Sequence, residues 1–156
     1  MLSVRKGLFL FAIALSVAFA QSAIADGHAG AGAIKYRQAV MKAVGGHMGA
    51  MATILGGAGG NMADFKGHAH AMAELAKIAQ NVFPEGSDEM AGNTGAKAEI
   101  WDNPAEFKKV LTAFQTNANA LAKAAESGDK GQIGAAMGAL GKGSCKACHE
   151  GFRVKK

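Results

Sequence analysis

Apolar residues recur at three- and four-residue intervals through most of the chain, and no stretch alternates apolar with polar for long enough to read as a strand. The spacing predicts four helices. The first covers about 32–55, with Ile34, Met41, Val44, Met48, Met51 and Leu55 in one row. Gly56 to Gly60 form a flexible turn, and Asn61 caps a second helix to about 82, with Met62, Phe65, Ala69, Met72, Leu75, Ile78 and Val82 turned inward. A loop over 83–103 carries Pro84, Gly86, Gly92 and Gly95; loops of this length in compact domains often wrap a ligand or partner. Asn103 as cap and Pro104 in the first turn open a third helix to about 127, with Phe107, Leu111, Phe114, Ala118 and Leu121 on its inner face. After Gly128, a fourth carries Ile133, Met137, Leu140, Cys145, Cys148, His149 and Phe152. The short connections make the first and third helices antiparallel to their successors. The simplest result is all-α: an antiparallel up-down-up-down four-helix bundle holding a cofactor between its helices.

The chain begins with a segment of another kind. Arg5 and Lys6 precede an apolar run over 8–20 broken only by Ser16, followed by Ala23-Ile24-Ala25. This pattern predicts a cleaved signal peptide over 1–25, with a cut after Ala20 as the alternative, and a bundle over 26–156. The run is too short for a stable membrane anchor. Export to the periplasm is expected.

Net charge falls from +5 for the whole chain to +3 once Arg5 and Lys6 leave. The remaining charge is unclustered except for Lys155-Lys156, and it lacks the basic, aromatic-interleaved face of a nucleic-acid binder. Glycine is abundant, at 22 residues, including Gly45-Gly46 in the first helix and Gly138, Gly141 and Gly143 in the fourth. Each costs about 1 kcal/mol of helix propensity relative to alanine. In the fourth helix the small residues either reflect composition or let a flat group approach the backbone.

The chemistry concentrates in Cys145-Lys146-Ala147-Cys148-His149. Two thiols three apart with a histidine directly after is the spacing that attaches haem c: each sulfur forms one thioether and the imidazole ligates iron. One covalent haem c per chain is expected, with His149 as a metal ligand. On a helix these three residues share a face. A thiol-disulfide redox pair is the competing chemistry, but it favours a helix N-terminus after a strand. A structural disulfide is the plainer alternative, and a zinc site would be a ligand short. Arg37 is a charged misfit in the apolar row of the first helix; if buried it needs an anionic partner, and a haem propionate suits its fork. The alternative is that it snorkels to water. His47 faces away from that row, while His68 and His70 diverge on their helix and read as solvated. No nucleophile or acid-base constellation points to an enzyme.

Four stretches carry a family resemblance: IKYRQAVMKAVGGHMG (34–49), FPEGSD (83–88), AEIWDNPAEFKKVLTAFQ (98–115) and GKGSCKACHEGFR (141–153). The chain resembles the class II cytochromes c, the cytochrome c′ group, whose haem motif lies near the C-terminus. The resemblance implies a four-helix bundle, often a homodimer packed through helices 1 and 2. It implies His149 on one side of the iron, Arg37 near the propionates and Arg153 near the proximal imidazole. The family divides at the position of Met41. Some members hold a non-ligating side chain there, leave the iron five-coordinate and bind nitric oxide or carbon monoxide. Others ligate iron with a methionine and serve redox partner proteins as one-electron carriers. Met41 is open between ligand and core filler, since Met48, Met51, Met62, Met72 and Met137 also lie at helical spacing. The tryptophan that many high-spin members carry just before the FPEGSD stretch is missing; Trp101 lies after the loop.

Overall fold

The computed structural model describes the backbone of residues 11–155 and the side chains of residues 29–155. The expected leader over 1–25 falls outside the described side chains, and residues 1–10 fall outside the description altogether.

Among the described residues six α-helical segments follow in order: α1 (Phe11–Leu55), α2 (Met62–Ile78), the single turn α3 (Glu99–Asp102), α4 (Pro104–Ser127), α5 (Lys130–Leu140) and α6 (Ala147–Phe152). Between α5 and α6 the helical backbone continues through Gly141–Lys146, so α5, this segment and α6 form one rod. The four long elements are therefore α1, α2, α4 and the rod, in an antiparallel bundle. No strand occurs among the described residues.

Local chemistry fixes most of the boundaries. The Asn61 side chain accepts from the backbone N–H groups of Ala63 and Asp64 at 2.9 and 3.0 Å and so starts α2. Asp129 accepts from Gln132 N–H at 2.8 Å and starts α5. Between α4 and α5, Gly128 takes φ 68°, the left-handed cap that a Cβ disfavours. Pro104 opens α4 as expected, but Asn103 makes no side-chain cap bond. The second helix also stops short of Val82. It ends at Ile78 and tightens to a 3-10 turn over Ala79–Asn81.

The core runs along Met51, Phe65, Met72, Leu111, Phe114, Leu121, Ile133 and Leu140, all buried. Burying each such side chain contributes about 1.5–3 kcal/mol. Alanines 69, 73, 76, 118, 122 and 125 fill the space between them and let α2 and α4 approach closely. This alanine seam turns α2 slightly from its expected face, and Met62 and Ile78 are exposed. α1 packs on α2, α2 on α4, and α4 on the rod. Among the described residues α1 meets the rod through side chains, without close backbone approach. At Gly30, α1 passes tightly over the long loop: a Cβ there would overlap the Gly86 carbonyl oxygen. No helix of the described residues is long and apolar enough to cross a membrane.

Candidate functional site

The rod carries the two thiols, and it is not the uniform α-helix that the spacing suggests. Over Gly141–Lys146 it widens to the i→i+5 hydrogen bonding of a π-helix, and Cys145 lies inside the widened part. Gly141 and Gly143 give this stretch little α propensity of its own. From α4, Asn117 donates to the Ser144 hydroxyl at 3.0 Å, and Ser144 is buried. That bond anchors the widened turn to its neighbour.

Cys145 and Cys148 are both half-buried and unpaired. Burial pushes both thiols up; Cys148, with Cys145 beside it, reaches about 11. A redox dithiol works through a thiolate held at lowered pKa, so this environment opposes a thiol-disulfide oxidoreductase. His149 follows on α6, its imidazole pKa lowered first by burial and then by the charge of Arg153.

Facing the rod, α1 presents Met41, Val44 and Met48. All three are partly buried against the same core as Cys145, Cys148 and Phe152. The register between the two elements is fixed at one point: the Met48 methyl lies 3.7 Å from where a Gly141 Cβ would stand. Met41 is two turns before Met48, about 10 Å along α1. His149 is about as far beyond Gly141 along the rod. Because the two elements are antiparallel, these steps run the same way in space, toward the same end of the bundle. One turn further the two sides are linked through aromatic rings. Arg37 lies 5.0 Å from the Phe83 ring centre, Phe83 packs edge-on to Phe107 at 4.8 Å, and Phe107 to Phe152 at 5.1 Å.

Arg37 is only 3% exposed, so it does not snorkel to solvent. Its described partners are neutral. The guanidinium donates to the Ser87 hydroxyl at 2.7 Å, the Ser87 carbonyl at 2.8 Å and the Thr94 hydroxyl at 2.9 Å. Trp101 lies 5.8 Å from it and donates its own N–H to the Pro84 carbonyl at 3.1 Å. Desolvation lowers the Arg37 pKa. Ser87 and Thr94 were not among the expected site residues, although Arg37 itself was the clue: a buried fork must find acceptors, and the loop supplies them.

The same loop holds the end of the chain. Lys97 N–H donates to the Phe152 carbonyl at 3.1 Å and Val154 N–H to the Gly95 carbonyl at 2.9 Å. A single antiparallel bridge between Ala96 and Arg153 results. Arg153 is exposed, close enough to His149 for its charge to be felt.

Of the histidines, His70 is as expected and His68 is not. His70 is exposed and bonds Glu126 at 2.7 Å. His68, however, pairs with His47 across α1 and α2, Nδ1 to Nδ1 at 2.8 Å.

Two thiols and an imidazole along one rod face a thioether and apolar side chains, with a buried cation at the edge. This donor set fits a covalently held porphyrin with acidic edge groups.

The family model described as Cytochrome C' matches residues 32–153. A cytochrome c′ of Pararhodospirillum photometricum is 42% identical over 120 residues, spanning 77% of this chain and 94% of that protein. Two solved structures of cytochrome c prime from Alcaligenes xylosoxidans are each 34% identical with a TM-score of 0.71. One is a ferrous arginine-to-lysine variant with bound NO, covering 80% of this chain and 94% of that one. The other is a leucine-to-glycine variant with carbon monoxide bound, covering 79% and 94%.

Proposed function

The chain belongs to the cytochrome c′ family and binds haem c with its iron; from that premise we propose a periplasmic one-electron carrier in which His149 and Met41 would both hold the iron. In this reading the leader is cut after Ala25, the thioethers form at Cys145 and Cys148, and Arg37 and Arg153 flank the propionates and the proximal imidazole. The haem supplies a ferric–ferrous couple. Cys145, Cys148 and His149 would hold it in the bundle, and electrons would pass to redox partner proteins without bond chemistry and without catalysis of a reaction.

Met41 carries this proposal: it is a half-buried thioether packed against the same core as Cys145 and Cys148. Methionine in that role raises the reduction potential and closes the coordination sphere. The second reading, a five-coordinate gas-binding haem, is favoured by the relatives solved with nitric oxide and carbon monoxide. In that case Met41 is packing, and the distal side stays open to a diatomic ligand.

Visible absorption separates the two. Spectra of the oxidised and reduced protein are recorded with and without carbon monoxide, then repeated on Met41→Ala. A low-spin wild type inert to carbon monoxide, with a high-spin and reactive variant, is the expected result. A wild type that is already high-spin and binds the gas sinks electron carriage through Met41 and leaves the gas-binding reading.

A further inference from the structure

On the outer side of the α1–α2 pair, away from the rod, we propose a second metal site: the two imidazoles of His47 and His68 chelating a divalent ion of tetragonal geometry, copper(II) or nickel(II). The two Nδ1 atoms lie 2.8 Å apart, with the rings 5.0 Å apart and inclined at 62°. An ion bound by both nitrogens at about 2.0 Å, the usual metal–imidazole distance, subtends an angle of about 90° at that separation. That is the cis angle of square-planar or tetragonal copper(II) and nickel(II). A tetrahedral zinc would need the nitrogens about 3.3 Å apart, farther than the 2.8 Å of this pair.

The chain binds the ion through a modest rearrangement. In the observed pair one ring donates its Nδ1–H to the lone pair of the other. On binding, that ring carries its proton on Nε2 instead, and both Nδ1 lone pairs turn toward the ion. The histidines lie on two packed helices, one residue on each, so the bite is set by helix packing and not by a mobile loop. They open into a groove of about 580 Å³ whose other lining residues include Ala50, Thr53, Asp64 and Gly67. Its small side chains admit a hydrated ion, and Asp64, one turn before His68, adds negative charge near it. Among the described residues no cluster of three or more His, Cys, Asp or Glu gathers to cage a metal, so water completes the coordination. Exchangeable binding follows, which suits uptake or sensing of a labile ion better than a permanent structural role.

The site is independent of the haem, and so is its test. Ferric, haem-loaded protein is titrated with copper sulfate, nickel chloride or zinc chloride, in wild type, the double variant His47→Ala/His68→Ala, the milder His68→Gln, and His70→Ala. Wild type and His70→Ala should each take up one equivalent of copper more than the double variant does. Electron paramagnetic resonance of that extra copper should show an axial signal split by two nitrogens. Nickel should bind more tightly than zinc. His68→Gln, which keeps a hydrogen-bonding side chain between the helices, should melt like wild type yet lose the extra equivalent. Equal copper uptake by wild type and the double variant would overturn the site. So would zinc binding more tightly than nickel, because the 90° bite would then not be setting the choice of ion.

Discussion

Replacing Arg37 with alanine tests whether one guanidinium holds the long loop against α1. Three bonds of 2.7–2.9 Å to Ser87 and Thr94 would vanish together. The Ser87 hydroxyl would keep its bond to the Pro84 carbonyl at 2.7 Å, whereas the Ser87 carbonyl would lose the donor described for it. Bonds from a charged donor contribute about 1.5–3 kcal/mol each, and an orphaned buried acceptor costs about 1–3 kcal/mol. Against this, the variant no longer has to desolvate a cation whose described partners are all neutral, which returns part of the loss. A net destabilisation of about 3–4 kcal/mol follows. For a domain of this size that corresponds to a fall in melting temperature of about 10 °C. Thermal unfolding of the haem-free chain by circular dichroism measures it. Arg37→Lys should recover less than half, since a point ammonium cannot reach all three oxygens as the planar fork does. Melting within about 2 °C of wild type for the alanine variant, or full recovery by lysine, would refute the clamp.

Three other outcomes follow from the same structure. Asn117→Ala removes the donor to the buried Ser144 hydroxyl and should destabilise by about 1–2 kcal/mol, with faster amide exchange confined to the widened part of the rod; unchanged exchange there would show that the bond does not anchor it. Gly128→Ala forces a Cβ into φ 68° and should cost about 1 kcal/mol in denaturant melts, while a neutral result would mean that the α4–α5 turn relaxes freely. In the haem-free chain Cys148 is held neutral by burial, with a folded pKa of about 11 against an ordinary value of 9.0. Its contribution to stability is therefore complete below pH 9.0 and is lost as pH rises through about 11. Alkylation by iodoacetamide should follow the same window, and rapid reaction at neutral pH would contradict the burial.

The haem-binding motif was legible because five adjacent residues specify it without help from the fold. Three helix boundaries were equally local: Asn61 caps with its own side chain, Pro104 lacks a donor that a first turn does not need, and Gly128 tolerates a left-handed backbone. The widened turn was not legible. A π segment is a compromise between weak α propensity at Gly141 and Gly143 and a tertiary bond from Asn117 some 27 residues away, and periodicity carries no trace of that bond. Arg37 could be recognised as a misfit, but not its acceptors, since Ser87 and Thr94 look like ordinary loop residues until the loop folds back over α1. The His47–His68 pair was missed for a similar reason: each histidine was judged against its own helix, and the partner stands on the other.

The widened segment between α5 and α6 also sets an angular phase. A π turn accommodates one residue more than an α turn, so side chains beyond it are rotated by about 100° from where an unbroken α-helix would send them. Cys148 and His149 lie beyond it, whereas Ile133 and Leu140, the rod's core anchors, lie before it. The rod can therefore point its anchors at α4 and its imidazole elsewhere without a kink. Rewinding Gly141–Lys146 as an α turn with the same residues would change no chemical group in the donor set, yet it would turn that set about a quarter-circle away from Met41. The bundle thus sets the direction of the His149 imidazole through the winding of its backbone as well as through residue identities.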